Sequence, residues 1–112
     1  MSMEHLDRMA LVVSPKQPYI DWANSFDDDG PEYDPSARST SVFLINEVVN
    51  VTDTGRVIRK YWPEIFEERL HAWMRDPGVW PRRRSRDMFL EWFDVQVCEM
   101  VFDLGRGAIH YD

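Results

Sequence analysis

Three groups of residues in this chain have the types and spacing to do chemistry. The first is the acidic run Asp27, Asp28 and Asp29, followed by Glu32 and Asp34. Such oxygens suit Ca²⁺ or Mg²⁺. The run lacks the alternate acids, central Gly and distal Glu of an EF-hand loop, so the competing reading is a solvated charged turn. The second is the basic run Arg82, Arg83, Arg84, Ser85, Arg86. Guanidinium groups ahead of a helix start could hold a phosphate, unless the chain's own acids neutralise them. The third is Glu99, set among Val95, Val97 and Val101, with Asp94 and Asp103 nearby. A carboxylate within an apolar strand could take a raised pKa and work with a neighbour as an acid–base pair. Otherwise it marks a strand edge guarded by charge.

Other reactive side chains offer less. His5, His71 and His110 are far apart, and none has a second ligand at metal spacing. Cys98 is the single cysteine. It alternates with Met100 and Phe102, which reads as a small core hydrophobe. No Gly-rich phosphate loop, G-x-S-x-G or C-x-x-C occurs. The sequence therefore names no catalytic residue, metal or cofactor.

The elements that must position these groups follow from periodicity. Ala10–Val13 is a short apolar run stopped by Ser14-Pro15 and reads as a buried strand. Pro18 opens a short helix with Tyr19, Ile20, Ala23 and Phe26 on one face. Residues 27–40 read as a loop. Ser41–Val49 reads as a strand buried on both faces, because Val42, Phe43, Leu44 and Ile45 are continuously apolar. Val57, Ile58, Tyr61, Trp62, Ile65, Phe66, Leu70 and Trp73 recur at helical spacing. Pro63 lies inside that stretch and predicts a kink or break. Ser85 reads as an N-cap for a helix over Arg86–Phe93. From Asp94 the period becomes two, and Gln96, Cys98, Met100, Phe102 and Leu104 form the expected core face of a last strand.

The order β-α-β-α(-α)-β predicts an α/β or α+β two-layer domain of about three strands, with helices packed on one face. At 112 residues the chain suits a single domain with one core, ordered over about 9–105 and with loose termini. Hydrophobic residues at 44% and charged residues at 29% argue against general disorder. Aromatics at 13% predict a core of large rings.

The net charge of −7 disfavours a nucleic-acid backbone or an anionic membrane as partner and favours a basic protein surface. One cysteine and the absence of a signal peptide or long apolar span point to the cytoplasm. Self-association through Trp73, Trp80 or Tyr33 is compatible with this picture.

Three segments, "QPYIDWANSFDDDGP", "EIFEERLHAWMRD" and "DMFLEWFDVQVCEMVFDL", resemble a family of small acidic bacterial proteins to which no activity is assigned. There the middle segment is similar to an E-E-I-F-E-x-E-L-x-x-W helix. The last is similar to W-x-M-F-L-E-W-F followed by a strand ending V-x-D-L. The likeness spans roughly Leu11 to Leu104 and departs at Pro63. It implies one shared fold and brings no chemistry.

Small size, acidity, surplus aromatics and no catalytic constellation together predict a non-catalytic interaction protein, such as an adaptor, inhibitor or immunity-type partner. It would bind another protein through an acidic and aromatic surface. One alternative is a small hydrolase or metal-dependent enzyme built on the clustered carboxylates. The other is an anion- or nucleotide-binding module built on Arg82–Arg86.

Overall fold

The computed structural model describes residues 4–5, 8–26, 40–46, 54–105 and 107–108. Strand β1 (Glu4–His5) leads into β2 (Arg8–Pro15). Then come helix α1 (Gln17–Asn24), strand β3 (Ser41–Asn46) and the long helix α2 (Thr54–Trp73). A 3₁₀ turn (Pro77–Val79) and a short helix α3 (Arg86–Trp92) precede β4 (Phe93–Cys98) and β5 (Phe102–Asp103). The main sheet has the order β3-β2-β4, and both pairings are antiparallel. The molecule is thus an α+β domain, with its helices on one face of a three-stranded sheet. Strands β1 and β5 form a separate antiparallel pair.

Register decides which residues enter the core. Leu11 lies opposite Phe43 on one side and Val97 on the other, and Val13 lies opposite Ser41 and Val95. Met9, Leu11, Val13, Ile45 and Phe93 project to the helices, where they join Tyr19, Val57, Ile58, Ile65, Phe66, Leu70 and Phe89 in one buried cluster. The large rings are core, as the composition predicts. Phe66 packs at 5.6–5.7 Å, centroid to centroid, on Phe89, Trp92 and Phe93. Tyr19 sits 5.0 Å from Phe93.

The polar handles of these rings tie the helices together. Tyr19 Oη donates to the Arg69 carbonyl at 2.8 Å, and Trp73 Nε1 donates to the Ala23 carbonyl at 2.8 Å. Both bonds join α1 to the last turn of α2. Trp80 Nε1 donates to the Met74 carbonyl at 2.7 Å, holding the 3₁₀ turn under the helix end. Ser85 caps α3 as its sequence predicts: its Oγ accepts from the Met88 N–H at 3.1 Å. The end of α3 is fixed to the start of α1 by the Lys16 N–H, which donates to the Trp92 carbonyl at 2.7 Å.

Three expectations are corrected. First, of the kink or break expected at Pro63, the break does not occur: α2 runs as one helix through it. Pro63 and Arg59 are both exposed, so the carbonyl that loses its helical partner belongs to the solvent side of the helix, where the loss costs least.

Second, β3 is not buried on both faces. Val42 is 59% exposed and Leu44 47%, while Ile45 is 5%. The strand lies at the edge of a sheet covered by helices on one side only, so its apolar run splits between core and surface.

Third, the core face of β4 is the opposite one. The strand begins at Phe93, and Phe93, Val95 and Val97 pack on the core. Cys98 lies opposite Ala10 on the other face, half-buried, with Gln96 beside Val12. Strand β4 ends at Cys98, and Met100, Phe102 and Leu104 are exposed. A pleat counted through to Leu104 is therefore interrupted, and in a period of two a one-residue error exchanges the faces.

Candidate interaction groove

Helix α2 carries Tyr61, Glu64, Ile65 and Glu68 at spacings of three and four, which places them in one stripe along the helix. That stripe borders β3. Between the two lies a groove of about 450 Å³ lined by Phe43, Leu44, Ile45, Tyr61, Glu64, Ile65 and Glu68. Phe43 and Ile45 face the helices and Leu44 faces away. A groove that reaches all three therefore reaches the backbone edge of the strand itself.

The groove continues along α2. A shallower depression of about 370 Å³ is lined by Glu64, Glu67, Glu68, His71 and Trp80, sharing Glu64 and Glu68 with the first. Glu67 is engaged: Arg84 Nη2 donates to its Oε1 at 3.3 Å. The same guanidinium donates through Nη1 to the Pro81 carbonyl at 2.8 Å and lies 5.7 Å from the Trp80 ring centroid. Lys60 Nζ stands 5.3 Å from the Tyr61 ring centroid, so that ring already presents its face to a cation. Glu64 and Glu68 are exposed, and no Lys or Arg is among the described lining residues. The chemistry available is attraction of cations by Glu64 and Glu68 along a partly apolar floor.

The residues singled out in the sequence fall elsewhere. Asp27, Asp28 and Asp29, with Glu32 and Asp34, lie outside the described residues. Arg82 and Arg83 are exposed on the bend before α3, and Arg86 is half-buried in its first turn. Arg84 is spent on Glu67, Pro81 and Trp80, so the four arginines do not converge as a set. Glu99 is exposed at the bend after β4, and Asp94 is exposed at its other end. About 13 Å of extended chain separates Asp94 from Cys98, beyond the reach of a shared proton. Asp103 is half-buried, and its Oδ1 accepts from the Gly105 N–H at 2.8 Å. Trp73 and Trp80 are half-buried with their indole N–H groups bonded inside the chain. Tyr33 lies outside the described residues. No group of three or more His, Cys, Asp or Glu among the described residues could hold a metal ion, and no described helix is long and apolar enough to cross a membrane.

In the sequence Tyr61 and Ile65 read as part of the apolar face of the long helix and Phe43, Leu44 and Ile45 as a buried strand, while Glu64 and Glu68 fall on the helix's polar side. The available signal was Tyr61 and Ile65 interleaved with Glu64 and Glu68, a mixed stripe rather than a purely solvated one.

No protein-family model, curated protein or solved structure matches this chain. The resemblance to small acidic bacterial proteins thus carries no family assignment, and the functional reading rests on the groove.

Proposed function

We propose that this protein is a non-catalytic interaction protein of the cytoplasm, an adaptor, inhibitor or immunity-type partner, that docks a basic protein surface along α2. One observation carries the reading: Glu64 and Glu68 line two adjoining depressions that also hold Phe43, Tyr61, Ile65 and Trp80. The net charge of −7 extends the same bias over the whole molecule and draws basic partners in by long-range attraction. The single cysteine, free and half-buried, suits a reducing compartment.

The test is capture from a lysate of the native host by the immobilised protein, run beside a Glu64→Lys/Glu68→Lys variant. A stoichiometric partner is expected on the wild type and not on the variant. It should elute as salt shortens the screening length from about 10 Å at 0.1 M to about 3 Å at 1 M. Recovery of the protein alone, or capture that the variant leaves unchanged, would sink the reading.

A further inference from the structure

Strand β3 is the edge of the sheet, and no described strand pairs with its outer side. In an antiparallel ladder, alternate residues of such a strand turn their N–H and C=O groups away from the neighbour. Natural edges are usually blunted by charge, Pro or a bulge. The sequence of β3, SVFLIN, has no charged residue, Pro or Gly. Among the described residues this edge opens directly onto the acidic groove, since Phe43, Leu44 and Ile45 all line it.

We propose that β3 takes up an extended basic segment of the partner as a fourth strand of the sheet. This rests on the interaction reading above and specifies how the partner is held. Backbone hydrogen bonds to β3 supply the common affinity, and alternate side chains supply the selection. Side chains on the helix side of the added strand meet Glu64 and Glu68, with Tyr61 and Ile65 beneath their stems. Lys or Arg fits there. Side chains on the other side lie beside Val42 and Leu44, whose exposure leaves apolar surface to cover. The expected segment therefore alternates basic and apolar residues. The stripe from Tyr61 to Glu68 rises about 10 Å, so roughly three to four extended residues span the groove.

A second copy of this chain is the poorer occupant. Pairing two β3 edges with the helices on a common face would set the two acidic α2 stripes against each other across the junction, and like charges there oppose association.

The probe is a phage-displayed library of random dodecapeptides, panned on the folded protein and counter-panned on Glu64→Gln/Glu68→Gln. Enriched sequences should alternate Lys or Arg with apolar residues. The best binder, made synthetically, should shift the amide resonances of residues 42–45 and 61–68. It should lose at least about tenfold in affinity on the double variant. N-methylating alternate backbone amides should abolish binding in one of the two possible sets and spare it in the other, because only one set faces β3. Thermal unfolding of the variant confirms that its fold is intact.

No enrichment, or enrichment without basic alternation, overturns strand addition. So does a binder indifferent to both methylation patterns. So does concentration-dependent dimerisation that shifts the β3 amides with no peptide present. If a lysate partner is still lost on the charge-reversed variant while these tests fail, the interaction reading stands and only the strand-addition mode falls.

Discussion

Single side chains in this protein act mainly as ties between elements. Tyr19 is buried, and its hydroxyl satisfies the Arg69 carbonyl. Tyr19→Phe keeps the ring but removes the hydroxyl's bond across to α2, and should cost about 1 kcal/mol in denaturant unfolding. Ser85→Ala removes the side-chain acceptor for the Met88 N–H and should cost about 1 kcal/mol by the same measurement. By contrast, the Arg84–Glu67 pair is partly exposed, with Glu67 the more open partner. Its charge attraction alone is worth little in water. The value of Arg84 lies equally in the Pro81 carbonyl and the Trp80 face, which it holds in place beside the groove.

Elements reveal where local preference yields to packing. Helix α2 tolerates Pro63 because five residues, Val57, Ile58, Ile65, Phe66 and Leu70, bury its inner face on both sides of the proline. An interior proline costs about 3 kcal/mol in helix preference. Pro63→Ala restores the bond to Arg59 at an exposed site, so it should raise the urea midpoint, by about 1–3 kcal/mol in stability. A lowered midpoint would mean that the proline shapes a bend the core requires. Strand β3 offers a sharper contrast. Leu44→Lys places its charge on the open face and should change stability by less than about 1 kcal/mol. Ile45→Lys buries an ammonium and should prevent or nearly prevent folding. Circular dichroism melts of the two variants separate the faces directly, and similar losses in both would refute the register.

At the scale of the whole molecule, one buried cluster draws on three strands and three helices. With no second core among the described residues, unfolding should be a single cooperative transition. Trp22, Trp62, Trp80 and Trp92 all pack against that cluster, so tryptophan fluorescence and far-ultraviolet circular dichroism should report the same midpoint. Two separated midpoints would show that α2 and the sheet unfold independently. The surface pairs an acidic stripe with a strand edge that no described strand covers, and these lie together only because the fold brings β3 alongside α2.

Much of this was present in the residue pattern. Helical spacing placed α2 and its buried face, the Ser85 cap placed α3, and the β-α-β-α-α-β order placed the helices against one sheet. These are local signals, set by side-chain period and by which group can satisfy a free N–H. The pattern misled on one matter and was silent on another. It could not say which face of β4 turns inward, because alternation looks alike from either side; only pairing with Leu11 and Val13, more than eighty positions away, settled that Val95 and Val97 are inside. Nor could it separate Glu64 and Glu68 from an ordinary solvated helix side. Those carboxylates gain their setting from a strand edge placed beside them, and edges exist only once the strands have chosen their neighbours.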